Sequence, residues 1–547
     1  MVLEGDRLSM SKNAQGVFTV VVPNARPGMT YGVALDGDGP FPDPWSRWQP
    51  WGVHAPSALI APGPKVGHRA VPKRRAQTAY ELHIGTFSAS GDYAGAIRRL
   101  DSLVRLGVDT IQVMPISEWP GRRNWGYDGT YFHAPTRAYG TPGELRKFVA
   151  AAHRRRLSVV LDTVFNHLGP DGAYIYRFAS EFFTDSHKTP WGGAIDYTRP
   201  EVRRTVADAA RWWIQEYGFD GLRLDATHAI YDAGPTHIVA DIASAARRAF
   251  GGCYIVAEDH RNESRLLTVS HLDAILADDF HHAVRVALSG QQDGYFKMYR
   301  GTAEEIATAL DDGWIHQGDR KGKMGPGSKT DGIDAAGFVF CIENHDQVGN
   351  RVDGQHLAGL VVPEAYRAAS ALLLLAPERV MLFQGQEWAT AGKFNYFTDH
   401  SKELGRLVTE GRRNEFGNFT AFREHPERIA DPQAEATFLA SRIDPQEARR
   451  NAWCLRLYTA LLALRTGDPV LRRPDRHAMS ITTRGSLLLI ERRHGGQRRL
   501  IAATLKGEKG AFVPAGKVLL HTEERRFGGS GRPSLEIPAT VVIDPDR

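Results

Sequence analysis

Between residues 79 and 384, short apolar runs alternate with longer segments of helical periodicity, and this alternation constrains the fold more than any other feature of the sequence. The runs have the length and composition of strands that are buried on both faces, as in parallel sheets. Eight strands with intervening helices predict a (β/α)8 TIM barrel, and an open doubly wound sheet is the alternative. The predicted strands are 79–87, 110–116, 158–165, 221–226, 253–258, 274–279, 337–345 and 380–384.

The segments on either side of this region have the alternating pattern and Gly-rich turns of antiparallel β-structure. Residues 16–22 and 31–35 are candidate strands near the N-terminus, and 486–491, 498–505, 517–522 and 539–543 are candidates near the C-terminus. A basic, polar stretch over 65–77 is typical of a linker, and a long insertion, 169–198, follows the third predicted strand. We therefore predict three domains, which are a shortened, immunoglobulin-like N-terminal β-sandwich over 1–70, the barrel with loop insertions over 71–466, and a C-terminal β-sandwich over 467–547.

Composition excludes several classes of protein. With 547 residues and a hydrophobic content of 42%, the chain can bury large cores and is not globally disordered. The net charge of +5 is spread thinly, and no basic run is interleaved with aromatic residues as nucleic-acid binding requires. We expect no signal peptide and no membrane span. Three widely separated cysteines predict no disulfide framework and no zinc site, so we expect a cytoplasmic enzyme.

Charged and polar side chains follow four of the apolar runs. Because the C-terminal ends of all barrel strands lie at one mouth, these side chains should meet there. One carboxylate, kept ionised by a guanidinium, could attack an electrophilic carbon, and a protonated second one could protonate a leaving oxygen. Such a pair performs glycoside hydrolysis or transfer with retention, whereas no Gly-rich phosphate-binding motif is present. The residues concerned are Asp162, Asn166 and His167 after the third run, Arg223, Asp225 and His228 at the fourth, Glu258 and Asp259 at the fifth, and Glu343, Asn344, His345, Asp346 and Gln347 at the seventh.

Four motifs in chain order, DTVFNH, GLRLDATHAI, IVAEDH and IENHDQ, resemble the four signature regions of the α-amylase family of glycoside hydrolases. WGYDG, after the second predicted strand, resembles the same family. The resemblance implies that Asp225 is the nucleophile, Glu258 the acid/base and Asp346 the transition-state stabiliser. Arg223, on the same strand face as Asp225, would keep that carboxylate ionised. The resemblance also implies substrate contacts by Tyr127, Asp128, His167, Arg223 and His345.

Further segments resemble, within that family, the maltooligosyltrehalose trehalohydrolases, namely LADDFHHAV, NHDQVGNR, QGQEW, NYFTDH, TPWGGAIDY and SRWQPWGVHAPS. This resemblance covers almost the whole chain. It implies hydrolysis of the α-1,4 bond next to the terminal trehalose unit of maltooligosyltrehalose, as a step of trehalose biosynthesis from α-glucan. It also implies a functional partner, maltooligosyltrehalose synthase, and no cofactor. The additional substrate-binding candidates are His228, Asp279, His281, His282, Gln347 and Asn350.

Alternatives stay open at this point. The family motifs also fit an amylase, a branching enzyme or a debranching enzyme that acts on ordinary α-glucan, and a silent glucan-binding barrel is a third possibility. The DDFHH run could bind a metal, but adjacent His281 and His282 cannot easily face one ion, so we predict no metal site. Departures from the usual family pattern bear on substrate affinity or pH optimum and leave the carboxylate trio intact. They occur at Thr163, Phe165, Glu343 and Gln386.

Overall fold

The computed structural model, which describes residues 1–14, 16–71, 77–318, 327–415 and 419–547, confirms a closed barrel of eight parallel strands. Each strand pairs with its neighbours along the chain, and the eighth pairs with the first, so the open sheet is excluded. All eight predicted runs form strands, several of them shorter than predicted. From first to eighth, the barrel strands are Thr78–Leu82, Thr110–Val113, Ser158–Thr163, Gly221–Leu224, Tyr254–Glu258, Ala274–Leu276, Phe338–Phe340 and Arg379–Phe383.

Helices surround the barrel, and capping residues in the sequence determine where they begin and end. Helix Tyr93–Leu106 begins after Asp92, whose side chain accepts the backbone N–H of Gly95, and it ends at Gly107 with φ of 103°. Thr141 and Glu144 form a capping box at the start of the next helix. In the described ranges no helix is both long and apolar enough to cross a membrane. The helices of ten or more residues are Tyr93–Leu106, Pro142–Arg154, Pro200–Tyr217, Ile238–Ala249, Asp278–Ser289, Ala303–Asp312, Pro363–Leu375, Lys402–Glu415 and Ala452–Gly467.

The insertion after the third strand and the N-terminal segment are both built of short elements. The insertion forms the helix Ile175–Phe178 and the hairpin of Phe183–Thr189 with Gly192–Ile195. The expected strand over 16–22 is reduced to Phe18–Thr19, because most of its side chains are exposed and have no core to pack against. Part of the predicted linker, 72–76, lies outside the described residues. The N-terminal strands are Val2–Leu3, Asp6–Arg7, Thr30–Leu35, Asp38–Phe41 and Ser57–Ala58 in one sheet, with Ser11–Lys12 and Phe18–Thr19 as a separate pair.

A five-stranded antiparallel sheet forms the C-terminal part of the chain. One face, with Leu488, Ile501 and Val542, joins the large core of the barrel and its helices. The opposite face packs on Leu535 and neighbouring loop residues instead of on the second sheet of a sandwich. The first strand was missed because its residues alternate between exposed and half-buried and carry little apolar signal. The strands are Met479–Arg484, Leu487–His494, Gln497–Thr504, Lys517–His521 and Ala539–Asp544.

A buried ion pair joins this C-terminal sheet region to the helix Pro363–Leu375. Arg367 Nη2 lies 2.6 Å from Glu523 Oε1, and Arg367 Nε lies 3.1 Å from the same oxygen. The side chains are 2% and 1% exposed, so each depends on the other for compensation of its charge. A buried charge that loses its partner is strongly destabilising.

We therefore expect Glu523→Ala to lower the free energy of unfolding by about 3–5 kcal/mol, because it removes the buried partner of Arg367 and leaves the guanidinium only the longer, 3.6 Å contact with Glu364, which is 40% exposed. Glu201→Ala is the matched control, since it breaks a pair with Arg204 whose side chains are 69% and 74% exposed. It should cost less than about 1 kcal/mol. Urea unfolding followed by tryptophan fluorescence measures both. Equal losses in the two variants would contradict a stabilising role for the buried pair.

Candidate active site

One buried guanidinium organises the mouth of the barrel. Arg223, on the fourth strand, is 1% exposed and pairs in register with Asp162 on the third strand. Its Nη1 donates to Asp162 Oδ1 at 2.8 Å and to Asp225 Oδ1 at 2.7 Å, and its Nη2 donates to Glu258 Oε2 at 2.8 Å. Because the donors of a guanidinium lie in a fixed plane, this one group sets the positions of three carboxyl groups from three adjacent strands.

Asp225 and Glu258 each have a second anchor. Asn166 Nδ2 donates to Asp225 Oδ2 at 2.9 Å. The backbone N–H of Ala226 donates to Glu258 Oε2 at 2.9 Å, from a left-handed turn with φ of 40°. Within the described residues no hydrogen bond reaches Glu258 Oε1, and the side chain is 21% exposed. Glu258 is therefore fixed through one oxygen and presents the other to the mouth.

A second set of hydrogen bonds fixes His345 after the seventh strand. His345 Nδ1 lies 3.0 Å from Oε1 of Glu81, a residue of the first strand, and its Nε2 lies 2.8 Å from Tyr127 Oη. Tyr127 Oη donates to Asp162 Oδ2 at 2.8 Å, which connects this set to Arg223. Burial opposes a charge on the imidazole, but Asp346 and Glu81 outweigh it and raise the pKa of His345 to about 9. His345 is therefore cationic at neutral pH.

Asp346 and its neighbours begin a short helix that opens onto the mouth. Asn344 caps this helix by accepting the backbone N–H of Gln347 at 2.7 Å. Asn350 Nδ2 donates to Asp346 Oδ1 at 3.1 Å, and the carboxyl is 38% exposed. Burial and the negative charge of Glu258 raise the pKa of Asp346, although His345 opposes the shift. Asp346 therefore faces the same space as Glu258 from the other side of the sixth strand.

His167 and Asp128 form a further part of the wall. His167 Nε2 lies 2.8 Å from the carbonyl oxygen of Tyr127, and its ring stacks on Trp191 with centroids 3.5 Å apart. Burial lowers the pKa of His167 despite the charge of Asp225. Asp128 is buried and accepts from Asn124 Nδ2 at 2.6 Å. The hairpin of the insertion thus reaches the mouth through Trp191, which sequence reasoning did not place there.

Three of the predicted substrate-binding residues, Asp279, His281 and His282, are buried beneath the mouth, and their contact with a substrate stays a prediction. Asp279 is 1% exposed and accepts hydrogen bonds from Tyr299 Oη at 2.6 Å and from the backbone N–H of Ile315 at 2.7 Å. These contacts use its carboxylate to hold protein loops together. His281 and His282 are 2% and 3% exposed and pack within the protein. The DDFHH run reads as polar in sequence, but helical geometry turns these three side chains into the core.

The remaining predicted residues lie in two places around the mouth. Gln347 and Asn350 line a cavity of about 460 Å³ beside Asp346, together with Tyr295, Phe419 and other residues of the surrounding loops. His228, which follows the fourth strand, lies against His260 with ring centroids 3.6 Å apart. The ranges described contain no group of three or more His, Cys, Asp or Glu side chains arranged to hold a metal ion.

The structure also brings in residues that sequence reasoning missed or gave no role. For two of them, a polar residue inside an apolar strand was the available signal. Glu81 interrupts the first strand and Asp162 the third, where alternation turns the side chain toward the barrel axis. Asn166, Asp278 and Tyr295 come from loops or from a helix start, where only the tertiary structure brings them to the mouth. The missed residues are Glu81, Trp191, Asp278 and Tyr295, whereas Asp162 and Asn166 were expected at the mouth but were assigned no role there.

Comparisons with known proteins agree with this arrangement. A family model for the alpha-amylase catalytic domain matches residues 72–192. A malto-oligosyltrehalose trehalohydrolase of Deinococcus radiodurans is 41% identical, with the match covering 96% of this chain and 89% of the relative. The enzyme of that name from Saccharolobus solfataricus is 37% identical over 83% of this chain and 81% of its own length.

Solved structures of known enzymes are also similar to this chain. A Salmonella typhimurium structure named as an alpha amylase superimposes with a TM-score of 0.89 and 33% identity, covering 99% of this chain and 94% of that chain. An Anoxybacillus pullulanase with bound maltotetraose is only 17% identical and shares the fold, with a TM-score of 0.71 over 98% of this chain and 82% of that chain. The chain belongs to the malto-oligosyltrehalose trehalohydrolase family, within the α-amylase family of glycoside hydrolases.

Proposed function

We propose that this chain is a retaining glycoside hydrolase that cleaves the α-1,4 bond next to the terminal trehalose unit of maltooligosyltrehalose. The products are trehalose and a maltooligosaccharide. One observation carries the proposal, which is that Arg223 holds Asp225 and Glu258 on neighbouring strands at the barrel mouth in a chain of this family. Two carboxyl groups at such a position are the machinery of retaining hydrolysis.

Asp225 acts as the nucleophile in this proposal. Its Oδ1 accepts from Arg223 and its Oδ2 from Asn166, and both contacts hold the carboxylate in one orientation. Attack on the anomeric carbon forms a bond between that carbon and an oxygen of Asp225, while the bond to the glycosidic oxygen breaks. The result is a covalent glycosyl-enzyme, and the trehalose unit is the leaving group.

Glu258 acts first as general acid and then as general base. Arg223 and the Ala226 N–H anchor Oε2, so that Oε1 can carry the proton to the glycosidic oxygen. In the second step Glu258 takes a proton from water, whose oxygen bonds to the anomeric carbon and releases Asp225. Asp346, on the far side of the sixth strand, would stabilise the positive charge of the oxocarbenium-like transition state.

Contacts that bind the substrate belong to the same proposal. The Tyr127 ring offers a stacking face, and the cation of His345, whose two ring nitrogens are held by Glu81 and Tyr127, lies beside that ring and adds positive charge to the site. The cavity beside Asp346 has the volume of a small-ligand pocket. The proposed substrate-binding residues are Tyr127, Asp128, His167, Arg223, His228, Asp279, His281, His282, His345, Gln347 and Asn350.

The proposal extends to the surroundings of the enzyme. A maltooligosyltrehalose synthase would supply the substrate, since the terminal trehalose linkage must be made before it can be released. Cys253, Cys341 and Cys454 are buried and form no disulfide, which supports work in the reducing cytoplasm. We propose the domain boundaries 1–70, 71–466 and 467–547 for the N-terminal, catalytic and C-terminal domains.

Substrate class is tested by a paired digestion. We expect rapid release of trehalose from maltotriosyltrehalose and slow or no cleavage of a maltooligosaccharide of equal length, because the leaving group is a trehalose unit. Chromatography of the products measures both. Comparable cleavage of the two substrates would contradict the proposal and indicate an amylase, whereas new α-1,6 bonds would indicate a branching enzyme.

The role of Glu258 is tested by Glu258→Gln. We expect kcat on maltotriosyltrehalose to fall by about 10²–10⁴-fold, because the leaving oxygen then receives no proton. Formation of the glycosyl-enzyme from a maltosyl fluoride should fall much less, since fluoride leaves without protonation. Glu201→Gln, an exposed change of the same chemistry, should leave kcat unaltered. Equal losses of Glu258→Gln on both substrates would contradict the assignment.

A further inference from the structure

Asp278 is a carboxyl of the mouth that the proposed mechanism does not use. It follows the sixth strand and is the first residue of helix Asp278–Ser289. Ala274 and Leu276 belong to the apolar cluster inside the barrel, and side chains two residues apart share a strand face. Leu276 pairs in register with Glu258. Asp278, two residues beyond Leu276, therefore lies just past the end of the sixth strand. The neighbouring fifth strand carries Glu258, and Asp346 follows the seventh strand.

The charges at the mouth do not balance if every carboxyl is ionised. The cations of this cluster are Arg223 and His345, and the partners described above occupy them both. Throughout the described ranges Asp278 has no hydrogen bond or ion pair, although it is only partly exposed. Like charges at short range in a poorly hydrated site repel strongly. The six carboxyl groups are Glu81, Asp162, Asp225, Glu258, Asp278 and Asp346.

The surroundings of Asp278 favour its neutral form. Burial, followed by the charges of Glu258, Asp279 and Asp346, raises the pKa of Asp278 to about 8, and Arg223 opposes the shift. The other titratable groups that face it are Cys341 and Tyr295, and burial raises the pKa of both, so that both stay uncharged at neutral pH. An ionised Asp278 would thus add a negative charge beside Glu258 and Asp346 with no cation left to compensate it.

We propose that Asp278 functions as a neutral carboxylic acid that donates a hydrogen bond to a sugar hydroxyl beside the scissile bond. Asp278 is only partly buried and lies close enough to Glu258 and Asp346 for their charges to act on it, and among the described residues no protein group hydrogen-bonds to its carboxyl. A neutral acid supplies a donor without adding charge next to the group that must transfer a proton. This inference rests on the proposed function, because it requires a glycan in the mouth.

Two variants of nearly the same size separate the neutral donor from a charge. Asp278→Asn is uncharged and keeps a donor, so we expect kcat/KM at neutral pH to stay within about threefold of the unmodified enzyme. Asp278→Leu is uncharged and lacks the donor, so we expect a loss of about tenfold or more. Equal losses in both would show that the ionised carboxylate is needed. Full activity in both would show that Asp278 makes no contact with substrate. Either result overturns the proposal.

Infrared spectroscopy tests the protonation without any substrate. We expect a carbonyl band of a protonated carboxyl at neutral pH that is absent from Asp278→Asn and that disappears in the unmodified enzyme as the pH rises through about 8. Glu304→Gln is the matched control, because Glu304 is an exposed carboxylate in the first turn of another helix, and it should change neither band nor activity. A spectrum unaltered by Asp278→Asn would overturn the proposal.

The failure of the proposed function is distinguishable from the failure of this inference. If the unmodified enzyme releases no trehalose, the proposed function fails, and the Asn and Leu variants are then compared on the α-glucan that it does cleave. The infrared result is independent of the substrate. A missing band together with normal trehalose release would overturn the role of Asp278 alone.

Discussion

The burial of Arg223 is the constraint on which the rest of the catalytic mouth depends. A guanidinium that is 1% exposed is tolerable only if acceptors surround it, and Asp162, Asp225 and Glu258 supply them. These acceptors come from three adjacent strands, so the charge is compensated only when the parallel register is correct. The requirement for pairing thus ties the stability of the barrel to the geometry of the site.

A chain of hydrogen bonds connects Arg223 to side chains on the other side of the barrel mouth. Glu81 on the first strand contacts His345 after the seventh, His345 contacts Tyr127, and Tyr127 contacts Asp162, which contacts Arg223. Because each side chain is fixed by two partners, the dipoles and charges of the mouth are in place before a substrate binds. Such preorganisation is the main way in which a protein stabilises developing charge. Because carboxyl groups outnumber cations at the mouth, one of them can be protonated at neutral pH, as we propose for Asp278.

Sequence reasoning succeeded where a single local pattern has a single structural meaning. Buried parallel strands are apolar along their whole length, and all eight were found from that signal. The charged residues directly after strands were placed at the mouth for the same reason. It did not reveal that Asp279, His281 and His282 are buried, because polarity in sequence does not show whether the partner is a sugar or another part of the protein. It also overlooked Glu81, which looks like an isolated interruption of an apolar strand.

The sequence by itself determined the barrel, the order of its strands and the carboxylates at their ends, because strand periodicity and chain order are local properties. The family motifs added the expected roles of Asp225, Glu258 and Asp346. Only the tertiary structure decided which polar groups satisfy one another, since hydrogen bonds such as that of Glu81 with His345 join residues 264 positions apart. The charge state of each carboxyl depends on that long-range pairing and on burial, and neither can be predicted from a short stretch of sequence.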